Sequence, residues 1–304
     1  MIMGKYILLF ALLAGVLLPG CWNEDAIHVD EGSYKRAYDT TSVDPVFKFA
    51  SQYYYKYGKL LITDPDSSDY LFNFQTKHQL LLRAPEQSRM HLSEALDFFR
   101  KMFLNGYSDE MIKNYFPYKI LLADTVCYTG SGKDYRNIFL TEYHVSFLVN
   151  EEMLKKSEEE KSTLSREWNY KFLAEYMAKY KGWKVDEDFY LYPTDGLFYK
   201  NFKYLTDEEW TEENFWELGY ASGKIYESYA QKPEGGWGFI KVGYQFAASK
   251  AGYLESFIRF LYSNPEETIA RACKHAKFKK AYDVLVAALE EMGIDYRKIG
   301  YDAN

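Results

Sequence analysis

The chain has 304 residues, a formal net charge of −7 and a hydrophobic share of 47%. An acidic balance with no block of Lys and Arg argues against nucleic acid as a partner. Three cysteines are too few for a disulfide scaffold, so folding must rest on an apolar core.

Met1 to Lys5 bring one positive charge, and Tyr6 to Leu18 form an apolar run that ends at Leu18-Pro19-Gly20-Cys21. A positive start and a short apolar segment are the layout of a secretory signal. The run is shorter than the ~20 apolar residues that a helix needs to cross a bilayer. Its last four residues resemble a bacterial lipobox, in which the cysteine is acylated and becomes the first residue of the mature chain. Residues 1–20 are therefore expected to be a lipoprotein signal peptide and Cys21 the lipidation site. Asn23, Glu24 and Asp25 follow, then Asp30 and Glu31. Residues 21–43 have the composition of an acidic flexible tether. Acidic residues close behind the cysteine also resemble the surface-export signal of Bacteroidota lipoproteins. The expected location is the outer membrane, lipid-anchored and facing outward.

Residues 44–304 contain no repeat or low-complexity linker and read as a single domain. Val46, Phe49, Tyr53 and Tyr57 recur at helical spacing and predict a helix over 45–57. Leu92, Leu96, Phe99 and Phe103 share one face of a helix over 88–104. Ser108 is placed to cap a short helix that ends before Pro117. Residues 118–123 and 138–149 read as strands, the second long and alternating. The turn Gly130-Ser131-Gly132-Lys133 is not a phosphate loop, because Cys127 and Asp134 stand where that motif needs Gly and Ser or Thr.

Residues 151–161 form a charged helical stretch. Ser162 or Ser165 is then expected to cap a helix reaching about Tyr180, which Gly182 stops. Residues 183–235 are irregular and rich in aromatic side chains. Three helices are predicted to close the chain, over 245–261, 265–275 and 278–292, with Pro265 at a first helical position and Gly293 as a C-terminal cap. The fold class is α+β, mainly helical with a small β-sheet.

The 30 Tyr, 21 Phe and 6 Trp suggest ring platforms for a sugar, and Trp183, Trp210, Trp216 and Trp237 are candidate contacts. For any single ring, filling a core is the default reading. Cys127 and Cys273 are the thiols besides Cys21, and no bridge between them is expected.

Several stretches, in order, resemble one family: Bacteroidota lipoproteins described as substrate-import-associated zinc metallohydrolases, or zinc-binding metallopeptidases. They are residues 114–122, beginning Asn114-Tyr115-Phe116-Pro117, the strand region 138–150, Gly243-Tyr244 with Ala247-Ala248-Ser249, Tyr253-Leu254-Glu255, and Met292-Gly293-Ile294-Asp295. The resemblance implies a zincin-like architecture and an H-E-x-x-H helix whose two histidines hold zinc while the Glu serves as base. It also implies a third ligand on a later helix, at Glu255.

This chain departs from that pattern. The helix expected to carry the motif has no histidine, and no H-E-x-x-H occurs anywhere in the sequence. Aligned over the motif, Trp168 and Phe172 replace the ligands and Asn169 replaces the base. Neither ring offers zinc a lone pair. Glu255, beside Trp168 and Phe172, is expected to accept a hydrogen bond from Tyr or Lys, with Lys171 the candidate. His28, His78, His91, His144 and His275 include no pair at i, i+4, so no cofactor is expected. The resemblance implies an inactive metallopeptidase homologue beside a TonB-dependent importer and its lid lipoprotein, holding a peptide or glycan. The alternative is an active zinc metallohydrolase with an unconventional site, metal-dependent or carboxylate-based.

Overall fold

The computed structural model describes residues 42–70, 80–84, 92–130, 132–191, 193, 203–204, 209–247 and 249–300. The signal segment, Cys21, most of the tether, and His28, His78 and His91 lie outside them.

Helix α1 is Pro45–Tyr57, and local chemistry sets both its ends. The Asp44 carboxylate accepts from the amides of Val46 and Phe47, Pro45 takes the first turn, and Gly58 closes it at φ 69°. Strand β1 (Leu60–Ile62) follows, then the single turn α2 (Ser67–Tyr70) and strand β2 (Leu80–Arg83). Helix α3 is Leu92–Met102, with Leu96 and Phe99 inward as the spacing predicted. Ser108 caps α4 (Asp109–Tyr115) through the amide of Met111.

The expected strand over 118–123 is β3 (Lys119–Ala123), followed by β4 (Thr125–Tyr128) and β5 (Asp134–Tyr135). The single strand expected over 138–149 is instead two, β6 (Ile138–Leu140) and β7 (His144–Leu148), paired antiparallel. The chain reverses where Thr141 Oγ1 both accepts from the His144 amide and donates to its carbonyl.

Strands β1, β3 and β7 are parallel, and the sheet order is β1-β3-β7-β6, with β6 as the antiparallel edge. The inner strands are apolar on both faces, as Ile120, Leu121, Leu122, Val145 and Phe147 show by being wholly buried. A second antiparallel sheet has the order β2-β4-β5.

The charged stretch splits into α5 (Glu151–Leu154) and the start of α6 (Glu158–Lys171). The cap of α6 is neither Ser162 nor Ser165, both of which are buried within the helix. It is Ser157, in a reciprocal capping box with Glu160. The helix continues through a π-helical segment, Phe172–Met177, into a last turn, α7 (Ala178–Tyr180), and Gly182 follows at φ 66°.

The middle section is less irregular than its composition suggests. It contains α8 (Glu212–Glu217) and a long hairpin, β9 (Lys224–Gln231) with β10 (Trp237–Gln245), to which β8 (Lys203–Tyr204) adds. Because β10 runs to Gln245, the next helix begins later than predicted. It is α9 (Lys250–Ser263), capped by Ser249. Helices α10 (Glu266–Ala272) and α11 (Ala276–Glu291) close the chain, with Pro265 at the cap of α10 rather than inside it.

Residues 41–304 form one compact unit of α+β class. Its core is rich in aromatic rings. Phe99, Phe103, Phe116, Phe147, Trp168, Phe172 and Tyr176 pack ring on ring where α3 and α6 meet the sheet. A second group, including Phe189, Tyr253, Phe257 and Phe278, lies between α9 and α11. Cys127 and Cys273 are free thiols. No described helix is long and apolar enough to cross a membrane.

Candidate functional site

Helix α6 has two unlike faces, and the residues aligned to the zinc motif sit on the inner one. Trp168, Asn169 and Phe172 are each fully buried. Trp168 packs edge-on against Phe98 and Phe147, and Phe172 contacts Phe103, Tyr107, Phe116 and Tyr176. Asn169 donates to the carbonyls of Ser165 at 2.7 Å and Met102 at 3.3 Å, and accepts from the Tyr107 phenol at 2.8 Å. Its amide therefore stitches α6 to α3 and to the start of α4.

Glu255 does not join these three. It lies half-buried on α9, and the groups that feel its charge are Tyr170 and Glu175. Trp168 Nε1 has no hydrogen-bond acceptor, which a carboxylate at that spot would have supplied. Two positions along an α-helix are a turn of about 200°, so Tyr170 and Trp168 face opposite ways. The Lys171 ammonium, expected to serve Glu255, bonds instead to Glu167 at 2.6 Å.

The outer face of α6 carries the polar groups that sequence reasoning missed. Thr163, Arg166, Glu167 and Tyr170, with Arg259 and Ser263 of α9, line a cleft of about 360 Å³. A second cleft of about 360 Å³ shares Glu167 and extends past Lys171 and Glu175 to Arg136, Ile138 and Leu140 on the β5–β6 side. Arg259 is exposed, stands 5.7 Å from the Tyr170 ring centre, and makes no ion pair within 4.0 Å among the described residues. Glu167 is satisfied on both oxygens, by Lys171 at 2.6 Å and by the Asn137 amide at 3.1 Å. Partial desolvation first, and the charge of Glu255 second, hold Glu175 above the usual carboxylate range.

The sheet edge contributes backbone to the second cleft. Asn137 and Thr141 bond across to β7, so alternation leaves the N–H and C=O groups of Ile138 and Leu140 directed away from it. Among the described residues no strand pairs with that edge.

The donor set does not fit a zinc ion. The aligned positions are rings and a fully bonded amide inside an aromatic core, and α6 contains no histidine. Among the described residues, no three His, Cys, Asp or Glu side chains converge as a metal set. His144 is buried in β7, with Nδ1 3.1 Å from Ser146 Oγ, and His275 precedes α11 beside Trp216. Of the candidate tryptophans, Trp216 is core, Trp183 and Trp210 are half-buried, and Trp237 is exposed on the hairpin. No family model matches this chain, and neither does any curated protein or solved structure.

Proposed function

We propose that the protein is a surface-exposed outer-membrane lipoprotein with a zincin-like domain, an inactive metallopeptidase homologue that binds a ligand as an accessory component of a TonB-dependent nutrient import system. One observation carries this reading: α6, the helix aligned with the zinc motif, has no histidine, and the carboxylate nearest the aligned positions, Glu167, is bonded to Lys171 and Asn137. The inner face of α6 is aromatic core, and its outer face at i, i+1 and i+4 is Arg166, Glu167 and Tyr170. The zincin-like architecture is supported by a mixed sheet whose antiparallel edge strand lies along the cleft beside that helix. The membrane address and the importer rest on the lipobox and on the family resemblance. The ligand we favour is an extended peptide, because β6 is a sheet edge and alternation directs the backbone groups of half-buried Leu140 outward from it.

The test is metal content and hydrolysis in the full lipoprotein, purified in detergent without chelator. Zinc well below one per chain and no cleavage of a peptide library are expected. Stoichiometric zinc, lost together with activity in Glu255→Ala, would overturn the proposal.

A second reading is a carboxylate-based hydrolase. It is favoured by Glu175, whose carboxyl is kept more readily protonated than usual by partial burial first and the nearby Glu255 charge second. Glu175→Gln would then abolish a measurable hydrolysis that Glu167→Gln spares.

A further inference from the structure

We infer that the cleft between α6 and α9 selects an acidic side chain of a bound peptide, with Arg259 as its anchor. This rests on the ligand-binding reading above and names the chemistry of the ligand.

The charge of the cleft is the first argument. Its lining has two guanidinium groups, Arg166 and Arg259, and one carboxylate, Glu167. Lys171 and Asn137 already occupy that carboxylate, so it does not compete for a guanidinium. Glu255 lies one turn before Arg259 on α9 but is not part of the lining. The remaining lining groups, Thr163, Tyr170 and Ser263, are hydroxyls. The Thr163 hydroxyl spends its proton on the Glu159 carbonyl at 3.0 Å, and the Tyr170 ring stays half-buried. The cleft thus presents the Arg259 fork beside the hydroxyls of Tyr170 and Ser263, groups that bind a planar carboxylate.

The second argument is position. Arg259 has no ion-pair partner within 4.0 Å among the described residues, and it is held beside the Tyr170 ring at 5.7 Å. A guanidinium laid near an aromatic ring is partly ordered before any ligand arrives, which lowers the entropy lost on binding. The adjoining cleft meets this one at Glu167 and reaches half-buried Leu140, whose outward backbone groups can pair with an extended chain. A peptide strand added along β6 would therefore have a neighbouring cationic pocket for one of its side chains. Volumes of about 360 Å³ leave room for Glu or Asp side chains in extended form.

The test uses the full lipoprotein in detergent and three fluorescent probes: the peptide acetyl-VEVEVEV-amide, its VQVQVQV counterpart, and an oligogalacturonate. Binding is read by anisotropy. The Glu peptide should bind at least about tenfold more tightly than the Gln peptide, and Arg259→Gln should remove that difference while Lys279→Gln, the same charge change on α11, should not. Arg259→Lys should recover only part of it, since a point charge cannot fork a carboxylate.

Equal affinity for the two peptides, unchanged by Arg259→Gln, would overturn the acid selection and leave the peptide-binding reading standing. Arg259-dependent binding of the oligogalacturonate without either peptide would overturn it in favour of an acidic glycan. No binding of any probe would overturn it as well. Stoichiometric zinc with hydrolysis would instead remove the inactive-homologue reading, whichever probe binds.

Discussion

The phenol of Tyr107 donates a 2.8 Å hydrogen bond to the side-chain oxygen of Asn169, joining groups 62 residues apart in a fully buried setting. Burial holds the Tyr107 hydroxyl well above its ordinary pKa, so it stays a donor at all working pH values. The amide on the other side of Asn169 reaches two carbonyls. The residue aligned with a catalytic base is therefore a structural clasp.

Removing either end of that clasp leaves a buried polar group unmet. Tyr107→Phe and Asn169→Leu should each lower stability by about 1–3 kcal/mol per orphaned group, with Asn169→Leu the larger because it strands more partners. The double variant should cost less than the two singles together, since the pair is lost only once. Chemical denaturation of the four proteins reads the coupling, and strict additivity would show that the bond does no work.

The register of the degenerate motif can be tested by putting histidines back. Trp168→His with Phe172→His swaps two core rings for smaller polar ones, at positions where truncation of such rings to Ala costs about 3–5 kcal/mol each. That variant should melt early, with or without zinc. Arg166→His with Tyr170→His places two imidazoles one turn apart on the outer face, around the native Glu167 and on the side of Glu255. This variant should fold, and zinc should raise its melting temperature. A zinc-dependent rise in the first variant and none in the second would return the motif to the inner face.

How far the sequence could be read follows from where the information lies. Helix α1 is legible to the residue because Asp44, Pro45 and Gly58 are local signals at its own ends. The strand over 138–149 was misdivided because apolar alternation runs on through the Thr141-Glu142-Tyr143 turn, where no Gly or Pro marks the reversal. The β9–β10 hairpin left a usable signal, Gly235-Gly236 between alternating runs, at φ 95° and 80°.

The motif register is hard to read for a different reason. Trp168-Phe172-Tyr176 and Glu167-Lys171 are both i, i+4 rows, and only burial says which one faces a cleft. Weighing hydrophobicity first would have sent the aromatic row inward. Arg259 had no local signal at all, because its meaning depends on α9 packing against α6.

The same distinction separates the tryptophans. Trp216 is wholly buried and packs against Phe260 and Phe278, whereas Trp237 is 68% exposed and, among the described residues, stacks only on Tyr229. Trp216→Ala should cost about 3–5 kcal/mol by opening a cavity. Trp237→Ala should change stability by no more than about 0.5 kcal/mol, as surface substitutions do. Thermal melts of the two variants decide it, and equal losses would mean that the hairpin ring is part of the core.

His144 gives the fold an acid-side weakness. Its ring is buried in β7; burial first, and the neighbouring Lys119 charge second, lower its pKa from 6.5 to about 4. The neutral ring is favoured in the folded state, so as pH falls the unfolded chain takes the proton first. Stability should hold above pH 6.5, fall between 6.5 and about 4, and lose no more from this group below that. The loss should be on the order of 3 kcal/mol, at about 1.4 kcal/mol for each pKa unit. His144→Gln keeps a polar group near Ser146 but cannot titrate, so its denaturation midpoint should fall less steeply over that window than the parent's. Parallel curves for the two proteins would mean that the ring protonates as readily folded as unfolded, and that its burial costs nothing in acid.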